Sequence, residues 1–588
     1  MKRVLNSLKN WIDTDRSDFI RTFLLSEGFG FCLCISFIWG YRLDKYGNVS
    51  GWLIKSILLA LVLGDIVADI LMFIWMYLRE KRAKAADLAD VPQKSSVWVK
   101  GPTADRENPR IWIIASCVII ACWIPIWLAY YPAVFAYDVE TQLGQVISGP
   151  YSTHHPLLHT LIMGGCMKLM WNVGGINAGM ALYAVLQMLF MGVTGGWALA
   201  EAHRLGTSKP VLIIYGAFLA LFPVNGILAI STTKDVVFSG LMLMALLLIR
   251  RILKGETCFG RGLWVKMAVT TAALIIFRNN ALYALVPAIV IYMLIPCSTW
   301  ADGKARKRAT VPPPVDGKAR KRTLVLTLAA GCLAGCLVNG GLKAALHAES
   351  GSPREALSIP IQQMARSYSL HRDEMPEDLR ADLELCLGGD VTDVYDPHLA
   401  DKVKKQVYLK DTGRFIKSWL NILIKYPGDS FDAWLYTTEG AWYIGDTSAN
   451  RIYGTGGGFG YLNTDTRSMP QGFEVTHRSF LPGLTDFLEK SFSDNAFEDI
   501  PVLRRIFAPA IYIWILIAFL YVCLVRRGGM GAAGLLIPAF VYLTILCGPA
   551  VLVRYMYPYM LMVIYPFIPY KDSSMDMVSS KVDPEKTD

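Results

Sequence analysis

Charge is scarce in this chain. Only 18% of its 588 residues are Asp, Glu, Lys or Arg, against 53% hydrophobic residues, which excludes an ordinary soluble protein of this length. Paired cysteines are also lacking. Of twelve cysteines only Cys386 falls within residues 345–505, the longest polar segment, so no disulfide framework holds that segment together. No cysteine spacing fits a zinc site. A small-residue cleavage site is missing from the start, MKRVLNSLKNWIDTDRSDFIRTF, where charges precede the first apolar run. The first helix is therefore expected to stay on the chain as an anchor.

Apolar runs are abundant. About 20 apolar residues cross a bilayer core, and runs of that order lie near 22–40, 52–78, 111–131, 176–202, 210–230, 236–253, 263–277, 281–297, 323–344, 506–525, 532–549 and 555–570. The expected fold is an all-α polytopic membrane protein of about twelve transmembrane helices. The run at 157–171 is shorter and carries His159 and Lys168, so it is expected to lie along the membrane surface as an interfacial helix.

Lys and Arg concentrate in residues 79–110 and in STWADGKARKRATVPPPVDGKARKR after 297, and cytoplasmic loops carry such an excess. Twelve spans place both loops and both termini inside. The net charge of +10 then reads as topology and attraction to anionic membrane lipids, with no nucleic-acid partner. The heptapeptide DGKARKR occurs at 302–308 and 316–322 around Pro312, Pro313 and Pro314, and reads as a duplicated, flexible basic loop.

Five segments follow. Residues 1–104 form a two-span hairpin and a basic loop; 105–344 a transmembrane core with an outer loop at 132–175; 345–505 an α-rich extracytoplasmic domain; 506–570 the last spans; and 571–588 a cytoplasmic tail. The outer domain carries 24 acidic residues against 17 basic ones, so its face is mildly acidic.

Polar groups interrupt the apolar sequence on that outer side. The loop FAYDVETQLGQVISGPYSTHHPLLHT holds Asp138, Glu140, His154, His155 and His159; STTKD holds Lys234 and Asp235; FRNN holds Arg278, Asn279 and Asn280; VRYMYP holds Arg554 and Tyr555. Charges at membrane depth are costly and mark sites. Asp138, then Glu140, are candidate general bases, because an extended segment would point residues i and i+2 to one face. One of the two could instead orient an acceptor or hold a divalent metal ion. Arg278 and Arg554 suit phosphate oxygens bidentately, Lys234 adds a point charge, and His154 or His155 can donate hydrogen bonds. Alternatives stay open: Lys234 and Asp235 could pair with each other, Arg554 could snorkel to lipid headgroups, and His155 with His159 has the i, i+4 spacing of a metal pair. Trp434, Tyr436, Trp442 and Tyr443 could stack on a sugar or form an interfacial aromatic belt.

At these residues the chain resembles the GT-C class of membrane glycosyltransferases, which use polyprenyl-phosphate sugars and include protein O-mannosyltransferases and aminoarabinose transferases of lipid A. The likeness covers about residues 105–570. It rests on Tyr137-Asp138-Val139-Glu140, His155-Pro156-Leu157-Leu158 (better-known members show Lys-Pro-Pro-Leu), SIPIQQMAR, YDPHLADKVK and RYMYP. The acidic pair departs from the adjacent Asp-Glu of the class, and the first two spans stand ahead of its core. The resemblance implies sugar transfer with inversion from a polyprenyl-phosphate donor to an envelope glycan, lipid or protein, on the outer face of a bacterial plasma membrane. A rival reading is a proton-coupled transporter or lipid flippase using Glu27, Asp65 and Asp69, carboxylates that fall within the first two spans.

Overall fold

A computed structural model describes residues 8–9, 11–89, 108–135, 138–254, 261–296, 317–445, 473–493, 496–526 and 529–569. About 80% of the structure is helical, and no strand occurs among the described residues. Among the described residues, six helices are long and apolar enough to cross a membrane, or up to eight if each of two bent pairs is one span. The bends have a common cause. Phe222 and Ala508 each precede a proline, which pushes them into extended backbone (ψ 116° and 119°). Lys209–Leu221 therefore turns 54° into Pro223–Ala229, and Pro501–Phe507 turns 74° into Ala510–Val525. Twelve separate spans are not resolved by length: Ala281–Leu294 has 14 residues, Leu536–Ile545 has 10 and Val553–Leu561 has 9.

The chain forms two compact units, Met1–Arg106 with Leu516–Ala532, and Glu107–Ile515 with Ala533–Asp588. The first is built on a hairpin of α1 (Arg16–Tyr46) and α2 (Leu53–Ala89). Asp15 caps α1 by accepting from the Asp18 amide, and Gly47 ends it in the left-handed conformation, φ 73°. The two helices touch backbone to backbone: a Cβ on Gly64 would sit 2.8 Å from the Phe31 nitrogen. Only glycine permits that approach. Tyr521 joins both helices, accepting from Trp75 Nε1 at 2.8 Å and meeting Ser26 Oγ at 2.7 Å.

The second unit holds α3 (Pro109–Ala129), α4 (Val139–Ser148), α5 (Leu157–Arg204), α6 (Lys234–Lys254), α7 (Arg261–Phe277), α8 (Gly317–Ala345) and α9 (Val553–Leu561). Helix α5 is two arms. Gly174 and Gly175 leave helical geometry, with Gly175 at φ 62°, and the chain doubles back. His159 Nε2 lies 2.6 Å from Tyr183 Oη across 24 residues, which a straight helix would set about 36 Å apart. The run expected as a short surface helix at 157–171 is thus the first arm of a helical hairpin. Its Met163, Cys166 and Met167 pack against Ile176, Met180 and Tyr183 of the second arm.

Within 345–505 the described residues form an α-rich body with its own core, in which Ile361, Met364 and Tyr368 meet Leu379, Leu383, Phe415 and Ile422. The Gly-rich stretch 453–463 lies outside the described residues, as do the first DGKARKR copy and the three prolines. The second copy is not a loop. From Gly317 it forms the first turns of α8, where Arg320 is buried and Lys321 donates to the Ile295 carbonyl at 2.7 Å.

Candidate functional site

The segment entering α4 and the segment entering α6 run side by side. Val134 and Ser231 form a parallel bridge, with Val134 N–H donating to Ile230 O (3.2 Å) and Thr232 N–H donating to Val134 O (2.9 Å). Asp138, at the cap of α4, is thereby set beside Lys234, in the first turn of α6. Arg278 arrives from the end of α7 and Arg554 from the first turn of α9. His155 is positioned by a second bridge, Ser152 to Glu349, in which Thr153 N–H donates to Glu349 O at 2.8 Å.

Lys234 Nζ donates to Asp138 Oδ2 at 2.5 Å and lies 3.3 Å from His155 Nδ1. Arg554 reaches both carboxylates, Asp138 at 3.5 Å and Asp235 at 3.3 Å, and Arg278 reaches Asp235 at 3.3 Å. The Arg278 guanidinium stands over the Tyr555 ring (4.9 Å) and the Phe238 ring (5.2 Å). Asp138, Asp235, Arg554 and His155 are all buried. Burial alone would push the Asp138 pKa up, but the charges of Arg554, Lys234 and His155 and the Lys234 hydrogen bond hold it well below the usual carboxylate range. Burial first, then the Lys234 charge, pushes His155 down to about 3, so its imidazole is neutral at pH 7. Three cations face two carboxylates, leaving one positive charge in excess.

Six of the residues singled out in the sequence meet here: Asp138, His155, Lys234, Asp235, Arg278 and Arg554, with Tyr555 at their edge. Lys234 and Asp235 do not pair with each other; each finds a partner on another element. Arg554 is buried and does not snorkel. Glu140 does not share a face with Asp138, because the helix begins at Val139 and helical residues two apart diverge. His154 is exposed, and Asn279 donates to the Thr153 carbonyl at 3.1 Å, so neither enters the cluster. Tyr137 lies outside the described residues.

His159 is a core residue and not half of a metal pair. Gln142 Nε2 lies 3.0 Å from its Nδ1, and its Nε2 meets Tyr183 Oη, which donates to Gln187 Oε1 at 2.8 Å. This is the neutral tautomer with the proton on Nε2, assigned from the network. Gln187 Nε2 then donates to the Ser231 carbonyl at 2.5 Å, clamping the segment that leads into Lys234. Both Gln187 and Phe238 escaped the sequence reading: Gln187 is polar but lies inside an apolar helix, while Phe238, one turn after Lys234, resembles any other apolar position. Among the described residues no group of three His, Cys, Asp or Glu is placed to hold a metal ion. Asp138 commits its oxygens to Lys234 and Arg554, so the donor set at the cluster does not fit a divalent cation.

Three of the aromatic residues at 434–443 are held by neighbouring groups. Trp434 donates to Leu546 O at 3.1 Å, Trp442 to Thr438 Oγ1 at 3.1 Å, and Tyr436 lies under Arg366 at 5.1 Å. In the N-terminal unit, Glu27 hydrogen-bonds Asp65, while Asp65 and Asp69 are exposed on α2.

Residues 148–582 match a family described as a family of unknown function, DUF6020, and this is most of the chain, so the protein belongs to that family. The match includes His155, Lys234, Asp235, Arg278 and Arg554 and begins ten residues after Asp138. No curated protein matches the chain. No solved structure matches it.

Proposed function

We propose that this DUF6020 family member is a GT-C-like membrane glycosyltransferase that moves a sugar, with inversion, from a polyprenyl-phosphate donor to an envelope glycan, lipid or protein. One observation carries the reading. Lys234, Arg278 and Arg554, drawn from three helices, converge in a buried cluster with one positive charge in excess, which suits a phosphate group on a lipid. Phosphate is already a good leaving group and needs mainly charge neutralisation, which guanidinium forks and an ammonium supply. The Lys234 ammonium donates toward His155 Nδ1, which places the imidazole proton on Nε2 and makes it a neutral donor to phosphate or sugar oxygens.

The reading carries a topology of twelve spans, counting each bent pair and the shorter apolar helices, with both termini cytoplasmic and the cluster facing outward in a bacterial plasma membrane. The basic segments at 79–110 and after 297 support that orientation. Transport through Glu27, Asp65 and Asp69 has less support, since Asp65 and Asp69 are exposed on α2.

The test is incubation of the purified protein in nanodiscs with a panel of polyprenyl-phosphate sugars, reading polyprenyl phosphate release by mass spectrometry. Release abolished by Lys234→Ala, with thermal stability kept, supports the reading. Release indifferent to Lys234, Arg278 and Arg554 together would remove it.

A further inference from the structure

Asp138 poses a problem for the proposed chemistry. It is the carboxylate best placed for a base, yet both of its oxygens are engaged: Oδ2 by Lys234 at 2.5 Å and Oδ1 by Arg554 at 3.5 Å. A carboxylate so held is a poor proton acceptor. The same two cations are those a donor phosphate would need. Arg554 also reaches Asp235, and Arg278 is committed to Asp235 at 3.3 Å, so the cations are bridged to two internal anions and not to one.

The two anions are not equivalent. Asp235 sits in the first turn of α6, is 1% exposed, and accepts from Thr233 Oγ1 at 3.3 Å. Its negative charge also favours that helix N-terminus. It is built into the frame. Asp138 has no side-chain hydrogen bond at its own cap, is more exposed at 9%, and lies on the short helix α4. Of the two carboxylates, Asp138 is the one that can be moved off its cations.

We infer that Asp138 is an internal counter-ion that competes with the donor phosphate for Lys234 and Arg554, so that the site has no free base until the lipid donor is bound. This rests on the reading of the cluster as a donor-phosphate site. The phosphate, carrying more charge and more oxygens than one carboxylate, takes over the ammonium and the Arg554 fork. Asp138, relieved of its partners but still buried, recovers its basicity at the moment the sugar is in place. Transfer then balances as one displacement. The acceptor oxygen bonds to the anomeric carbon, the bond from that carbon to the phosphate oxygen breaks with its electron pair leaving on phosphate, and the acceptor proton goes to an Asp138 oxygen. His155 stays neutral throughout and keeps Lys234 oriented toward the exchange.

The experiment separates affinity from turnover. Undecaprenyl phosphate binding to the full-length protein in nanodiscs is titrated for wild type, Asp138→Asn and Asp138→Glu, beside release from the sugar-phosphate panel. Competition predicts that Asp138→Asn binds undecaprenyl phosphate at least about tenfold more tightly, tenfold being the effect of about 1.4 kcal/mol, while release falls a hundredfold or more. Asp138→Glu, which keeps the charge, should bind within about threefold of wild type. A general loss of structure cannot produce tighter binding with lost release. Unchanged or weaker binding by Asp138→Asn overturns the competition, and tighter binding with undiminished release overturns Asp138 as the base. Absence of undecaprenyl phosphate binding by all three proteins overturns the donor-site reading itself, and the inference with it. Asp138→Ala repeats the test if the amide variant fails to fold, judged by its thermal unfolding.

Discussion

Asp138 and Lys234 stand 96 residues apart in the chain and 2.5 Å apart in space. Two backbone hydrogen bonds between Val134 and the 230–232 segment hold the strands of chain that carry them. The meeting of the two segments is therefore set by main-chain geometry, upstream of either side chain. Arg278 and Arg554 complete it from helices that begin or end at the same place.

Those two arginines should contribute to donor affinity more than to the chemical step. A hydrogen bond to a charged group is worth about 1.5–3 kcal/mol, so Arg278→Ala or Arg554→Ala is expected to raise the apparent KM for a polyprenyl-phosphate sugar about tenfold to a hundredfold. Steady-state kinetics in nanodiscs check this, and unchanged donor kinetics in both variants would reject the assignment.

His155 gives a pH signature. Its folded pKa of about 3 lies below the unfolded value of 6.5, so from pH 6.5 down to about 3 the unfolded chain binds more protons. The stability it contributes is complete above pH 6.5 and is lost as pH falls through that window, by at most about 1.4 kcal/mol per pH unit. His155→Gln cannot take up that proton. Its Tm should fall less than that of wild type between pH 7 and pH 5, and parallel curves would contradict the neutral, buried imidazole.

Tyr183 tests the clamp behind the site. Tyr183→Phe removes the hydroxyl between His159 Nε2 and Gln187 Oε1, stranding two buried polar atoms at a cost of about 1–3 kcal/mol each. Thermal unfolding should register the loss. Donor release should drop as well, because Gln187 orders the Ser231 carbonyl three residues before Lys234.

Gly64 tests the N-terminal hairpin in isolation from the charged cluster. Gly64→Leu would place a side chain against the Phe31 backbone, and overpacking costs about 1–3 kcal/mol. Expression and Tm in detergent should both fall, whereas Gly28→Ala, with open space at its Cβ, should leave them unchanged.

The polar interruptions of the apolar sequence led to the cluster because burying Lys, Arg or Asp without a partner is so unfavourable that the residues must find one another. Lys234, Asp235, Arg278 and Arg554 were legible for that reason. Asp138 was legible as a candidate, but its partnership with Lys234 was not, since nothing local encodes a bridge across 96 residues. The divergence of Asp138 and Glu140 was readable and was missed: Val139, Leu143 and Val146 already follow a helical period, and Val139 and Leu143 are buried. Helix length supports six to eight of the twelve expected spans: hydropathy does not register that Phe222-Pro223 and Ala508-Pro509 bend a helix, nor that Ala281–Leu294, Leu536–Ile545 and Val553–Leu561 are short. His159 looked like a ligand because its consumers, Gln142 and Tyr183, are 17 and 24 residues away.

The parallel bridge at Val134 and Ser231 makes the alignment of the cluster a matter of counting. Asp138 comes four positions after Val134 and Lys234 three positions after Ser231, so a single insertion or deletion in either stretch puts one charged group out of step with the other. Side chains around the cluster can be exchanged and still leave the remaining charges in place, but the spacing of these two short stretches cannot change without uncoupling them. Evolution in this protein should therefore tolerate substitution between residues 134 and 138 and between 231 and 234 far better than any change in their lengths.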